Sequence, residues 1–257
     1  MAVPGAVTDP ARVAGEEIIV ETGGGAMTCY LARPTGAPPR AGLVIIHDAY
    51  GLSPHTRDVA ERFANLGYAA LAPDLYHRVG APRPDDPNDL MARMLGLSDA
   101  GAVADLDDAA RHLGALPGVE ARIGCIGFCA GGRHTLLWAC SSRLVTAAMP
   151  CWGGFVDRAT PGDETTPARP TPVLDLVGGL SCPLLVAGGA EDVNPSPAVL
   201  GQLVERLGAH GRTGAVKIYG GAGHAFLNDA RPALYREGPA HELFADAVSF
   251  FGRHLAG

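Results

Sequence analysis

The segment Gly127-Phe128-Cys129-Ala130-Gly131-Gly132 restricts the fold more than any other part of the chain. It follows a short apolar run, Ile123 to Phe128, that reads as a buried strand, and it opens a helix-like stretch, Ala130 to Cys140. A residue on so sharp a strand-to-helix turn has a strained backbone, and side chains two positions to either side would collide with it. Gly127 and Gly131 remove those side chains. The segment therefore has the form of a nucleophile elbow, with cysteine where serine is commoner. It also sets Cys129 at a helix N-terminus, where the dipole and free N–H groups favour a thiolate. The plain alternative is a glycine-rich turn carrying an inert cysteine; the strand before it and the helix after it favour the elbow.

The rest of the chain supplies the matching scaffold. Gly42 to His47 (GLVIIH) and Tyr68 to Ala72 are almost continuously apolar, as strands buried on both faces are. Leu144 to Met149, Leu184 to Ala187 and Val216 to Tyr219 read as further strands. Helical spacing appears in His55 to Leu66, Asp99 to Leu116, Pro197 to Leu207 and Pro239 to Leu255. Strands alternating with helices imply a mostly parallel sheet covered on both faces, an α/β fold. Within residues 1–40, Glu17 to Val20 and Met27 to Leu31 read as a hairpin turning at Gly23 to Gly25, followed by a proline-rich link. Arg78 to Asp89 reads as an irregular surface excursion, and Arg158 to Asp175 as a solvated loop insertion. The 257 residues suit one domain. A net charge of -7 without a basic stretch excludes a nucleic-acid surface. The six cysteines show no paired framework, and no leader or membrane-length apolar run stands out. Free thiols, a cytoplasmic location and a monomer or homodimer are expected.

A cysteine nucleophile needs a base and an orienting acid at later strand ends, in the order nucleophile, acid, histidine. The strand ending at Ala187 runs into Gly189-Ala190-Glu191-Asp192, and the strand ending at Tyr219 runs into Gly221-Ala222-Gly223-His224. His224 is the candidate base. Asp192 is preferred as the acid by its place in the order, with Glu191 beside it as the alternative. At the end of the first buried strand stands His47-Asp48-Ala49-Tyr50-Gly51-Leu52. In this architecture such a loop gives one backbone donor of an oxyanion hole and the residue after the nucleophile gives the other: here Ala49 and Ala130. Asp48 could face the thiol, and His47 could equally tie the loop down. A metal site drawn from His47, Asp48 and His55 matches no common zinc spacing, and no Gly-x-Gly-x-x-Gly follows the first strand. No metal or cofactor is expected.

Together these residues resemble the dienelactone hydrolase family, from about Gly42 to the C-terminal residues. The matching segments are HDAYGL (His47 to Leu52), PHTRDVAERF (Pro54 to Phe63), APDLYHR (Ala72 to Arg78), GFCAGG (Gly127 to Gly132), GAEDVNPSP (Gly189 to Pro197) and GAGHAF (Gly221 to Phe226). The resemblance implies an α/β-hydrolase fold, Cys129 as nucleophile, His224 as its partner and Asp192 as the orienting acid. At Asp48 the family usually carries a glutamate that interacts with the resting thiol and helps to generate the thiolate. The side chain here is one methylene shorter. Cys151 and Trp152 stand where the family puts pocket-lining aromatics, and Tyr50 and Phe226 are expected beside them. The family's founding enzymes grip a substrate carboxylate with arginines. One of those positions is Asn228 here, and Arg93 lies near the other.

The expected reaction is attack of Cys129 on a small lactone or activated ester, then hydrolysis of the thioester. Two readings keep the fold and change the class: a cyclase or lyase that excludes water, and a non-catalytic binder, which would have no use for all three groups.

Overall fold

The computed structural model describes residues 3–120 and 122–256. A single eight-stranded sheet runs through it. The strands are β1 (Val13–Thr22), β2 (Gly25–Pro34), β3 (Gly42–Ile46), β4 (Ala69–Pro73), β5 (Ile123–Phe128), β6 (Ala147–Cys151), β7 (Leu185–Gly189) and β8 (Ala215–Tyr219). Their order is β1-β2-β4-β3-β5-β6-β7-β8, antiparallel from β1 to β4 and parallel from there to β8. Among the described residues six α-helices accompany it: α1 (Pro54–Asn65), α2 (Pro87–Gly96), α3 (Asp99–Gly114), α4 (Ala130–Ser141), α5 (Pro197–Ala209) and α6 (Glu237–His254).

Successive side chains of a strand point to opposite faces, so the apolar run of β3 feeds two cores. Leu43 and Ile45 join Phe63 of α1 and Leu243, Phe244 and Phe251 of α6 on one face. Val44 and Ile46 join Leu106 and Leu113 of α3, Leu136 and Trp138 of α4 and Leu200, Leu203 and Leu207 of α5 on the other. This two-faced burial is the one the continuous apolar strands predict. Among the described residues no helix is long and apolar enough to cross a membrane.

Three local expectations need correction. The strand expected at Leu144 to Met149 lies at Ala147–Cys151, in parallel register with β5 from Gly124↔Ala147 to Phe128↔Cys151. The excursion from Arg78 gives way at Pro87 to helix α2, whose N-terminus is capped by the Asp86 carboxylate accepting from the Asn88 and Asp89 amides. The insertion Arg158 to Asp175 is exposed only in part. It docks on α3, the Asp99 amide donating to Ala168 O at 2.8 Å, and it buries Arg169.

Candidate active site

Because β3 and β5 to β8 are parallel, their C-terminal ends open on one edge of the sheet, and the loops carrying the candidate residues meet there. β5 ends one residue before Cys129, whose backbone takes φ 56 and ψ -115, the strained turn expected of an elbow. Main chains pack too closely there for any Cβ. One added at Gly127 would lie 2.3 Å from Gly131 O, and one at Gly131 would lie 2.2 Å from Ile46 O. The Cys129 amide donates to Cys151 O at 3.1 Å, which joins the elbow to the end of β6. Trp152, Phe155 and Ala225, in neighbouring loops, also have positive φ.

Cys129 is the one cysteine that is only partly buried. Burial pushes the thiols of Cys29 and Cys140 up to about 12 and that of Cys182 to about 11, and raises those of Cys125 and Cys151 further. Those five are thiols of the core.

The loops after β7 and β8 are stitched together by backbone bonds, Ala190 N to Tyr219 O and Glu191 N to Ala222 O, both 2.9 Å. Asp192, 4% exposed, is thereby turned toward His224, and its Oδ2 lies 2.8 Å from the ring Nδ1. Its Oδ1 accepts from the Asn194 amide at 2.9 Å. Glu191 points into solvent, so the geometry selects the aspartate. Burial lowers the pKa of His224, but the hydrogen bonds and charges of Asp192 and the Cys129 sulfur outweigh it and push the value up to about 10. The imidazole thus interacts with both the carboxylate and the sulfur.

On the other side of the elbow, Asp48 accepts the Tyr50 amide on Oδ1 at 2.8 Å and shapes the turn that presents Ala49. Among the described residues no hydrogen bond links this carboxylate to the thiol. His47, 2% exposed, has both ring nitrogens engaged, Nδ1 with Asp48 O at 2.7 Å and Nε2 with the Leu75 amide at 3.1 Å. Tyr76 stacks on that ring and donates from its hydroxyl to Ala49 O at 3.0 Å. His47 is therefore a structural tie of this loop.

A cavity of about 350 Å³ opens over the sulfur, within the size range of small-molecule sites. Cys129, Asp192, His224, Ala49, Ala130 and Tyr50 all line it. The other three residues expected at its wall do not. Cys151 and Phe226 are fully buried and Trp152 is 2% exposed; Trp152 packs between Phe128 and Phe226 in the core behind the site. The wall is formed instead by Leu90, Met91 and Met94 of α2, Phe155 and Val193. Arg93 pairs with Asp89 on the surface and Asn228 is buried, and neither reaches the cavity. Three unforeseen arginines do: Arg133, Arg169 and Arg231. Arg133 is bidentate to Asp99, and Arg231 lies over the Tyr50 ring at 3.9 Å. Only Arg133 carried a signal, being one helical turn past the elbow.

His55, Asp58 and Asp229 gather closely enough to suggest a cation site, but Arg62 donates to both carboxylates and supplies the positive charge itself.

A mostly parallel sheet in this order, with an elbow after β5 and an acid and a histidine after later strands, defines an α/β-hydrolase. The sequence pattern of the dienelactone hydrolase family matches residues 27–255. A Methylorubrum extorquens protein assigned as a carboxymethylenebutenolidase is 32% identical over 96% of this chain and 84% of its own. An Escherichia coli K12 protein of the same assignment is 32% identical over 88% and 82%. A crystal structure from Klebsiella pneumoniae, assigned as a dienelactone hydrolase, superposes with TM-score 0.86 at 30% identity, covering 94% of this chain and 99% of that one. The chain belongs to the dienelactone hydrolase family. It is a hydrolase of carboxylic esters or lactones.

Proposed function

We propose that the protein cleaves a lactone or activated ester of a small molecule with Cys129 as nucleophile, His224 as acid and base and Asp192 as orienter. The observation that carries this reading is the 2.8 Å contact of Asp192 Oδ2 with Nδ1 of an imidazole whose pKa the Cys129 sulfur also raises. The bonds and charges of Asp192 and the Cys129 sulfur favour the protonated imidazole, so His224 takes the thiol proton and becomes the imidazolium. The thiolate attacks the carbonyl carbon, and the carbonyl π pair moves onto oxygen. Ala49 and Ala130 line the cavity and, among the described residues, no backbone hydrogen bond from their amides is seen; those amides receive that oxygen. Collapse breaks the C–O bond, and the leaving alkoxide takes the imidazolium proton. Neutral His224 then accepts a proton from water as its oxygen attacks the thioester. The C–S bond breaks, releasing the acid and restoring the thiolate–imidazolium pair. The small cavity and the carboxymethylenebutenolidase assignments of the relatives favour small lactones and esters over peptides.

The test is Cys129→Ala on a panel of esters and lactones, with intact-mass spectrometry of the wild type during turnover. Loss of turnover in the variant and a transient acyl adduct on Cys129 are expected. Turnover retained by Cys129→Ala would overturn the reading.

A further inference from the structure

The wall opposite the sulfur belongs to a helix that stands apart from both cores. Of α2, only Met94 is buried within the helix. It packs with Ala49 and Ala130, the two alanines beside the nucleophile, in a small cluster that Leu90, Leu95 and Phe155 complete. The insertion fixes it from behind: Arg169, 1% exposed, donates from Nη2 to Met94 O and from Nη1 to Ala159 O at 3.0 Å.

We infer that Met94, backed by Arg169, is the stop that sets the length of the acyl group this site accepts, and that the substrate class is short apolar acyl esters or the corresponding lactones. The inference rests on Cys129 being the nucleophile. His224 must reach the leaving oxygen, and it comes from the end of β8, on the side of β5 that carries β6 and β7. Ala49 follows β3 and α2 follows β4, both on the other side. With the oxyanion on the Ala49 and Ala130 amides and the leaving group toward His224, the remaining substituent of the carbonyl carbon runs toward Met94. That surface is apolar. Arg133 is neutralised by Asp99, and Arg133 and Arg169, each 1% exposed, show little of themselves to the cavity. An apolar pocket discriminates by about ten-fold or more for each methylene that fits or fails to fit.

The experiment compares kcat/KM for p-nitrophenyl acetate, butyrate, hexanoate and octanoate, and for acetates of longer alcohols, in the wild type, Met94→Ala, Met94→Phe and Leu90→Ala. In the acyl series Met94→Ala should raise the octanoate-to-acetate ratio at least ten-fold, and Met94→Phe should lower the hexanoate-to-acetate ratio by a similar factor. Leu90→Ala, one turn back on the same face, should shift the ratio in the same direction as Met94→Ala and decides the matter should Met94→Ala not fold. The inference is overturned if the ratios stay within two-fold of wild type, or if only the alcohol series responds. It is also overturned if the wild type prefers an acyl chain ending in a carboxylate over an apolar chain of equal length, which would make Arg169 a charge receptor. Ratios that stay put while Cys129→Ala is inactive sink only this inference; an active Cys129→Ala sinks the nucleophile assignment itself.

Discussion

The elbow and helix α2 face each other across one cavity and are built on opposite terms. Around Cys129 main chain meets main chain: Cβ atoms at Gly127, Gly131 or Gly132 would fall 2.2 to 2.3 Å from the carbonyl oxygens of Gly131, Ile46 and Cys151 respectively. Around α2 the contacts are side chains, and a Cβ at Gly96 would meet nothing within 4 Å. A backbone contact cannot yield without moving two strands, whereas a side-chain wall can be rebuilt residue by residue. The position of the Cys129 sulfur is thus fixed by the fold, and the shape of the space over it is left to a peripheral helix.

The sharpest break of this contrast is Gly131→Ala against Gly96→Ala. The first forces apart Ile46 O and the elbow, and no folded protein, or a loss above about 4 kcal/mol, is expected. The second should change stability by no more than about 0.5 kcal/mol. Thermal or urea unfolding of both proteins checks this, and similar midpoints would dissolve the contrast.

Asp99 lies where the two regions meet. Its carboxylate takes both Nη groups of Arg133 behind the elbow, while burial, with the charge of Arg133, pushes the Arg169 guanidinium that backs α2 down to about 10. Asp99→Ala leaves two buried guanidinium groups without an anion and should cost about 3–5 kcal/mol by urea unfolding. A loss below about 1 kcal/mol would mean the charges find other partners.

Asp192→Asn tests the rigid side through its chemistry. Asparagine can still accept from the imidazole but removes the negative charge, so kcat should fall on the order of 100-fold. The pH direction follows from the raised pKa of His224: its imidazolium is favoured in the fold, so the associated stability is complete below about 6.5 and is lost as pH rises through about 10. Wild-type activity should therefore hold until the pH approaches 10, and the alkaline limb of Asp192→Asn should move to lower pH. An unmoved limb would detach the carboxylate from the base.

The same contrast explains what could be read in the amino-acid sequence. The elbow, the two-faced strands and the order Cys129, Asp192, His224 were legible because glycine spacing and apolar runs record backbone geometry directly. Choosing Asp192 over Glu191 needed chain order and resemblance, since both follow one strand and only the fold shows which of them turns inward. The wall was misplaced. Trp152 and Phe226 adjoin the site in the chain but pack into the core behind it, and Cys151 closes a strand. Helix α2 was hidden by the prolines before it, although Asp86-Pro87 with Leu90 and Met94 four apart is a cap followed by an apolar stripe. Arg169 gave no signal. It sits in a polar segment, and its burial depends on carbonyl partners that no local pattern records.

The smallest expected effect concerns Asp48, which belongs to the rigid side by position and could act through its charge or its shape. Its Oδ1 holds the Tyr50 amide, which fixes the turn that carries Ala49, a residue of the cavity wall. Asparagine offers the same acceptor without the charge; alanine offers neither. If shape is the whole contribution, Asp48→Asn should keep kcat/KM within about two-fold of wild type, less than about 0.5 kcal/mol. Asp48→Ala should lose about 1 kcal/mol of stability with the turn bond. A drop of ten-fold or more in Asp48→Asn, with its unfolding midpoint unchanged, would instead make the carboxylate an activator of the thiol. Loss of shape is common to alanine and every larger apolar residue, so only the asparagine variant separates a charge acting on sulfur from a hydrogen bond that shapes the loop beside it.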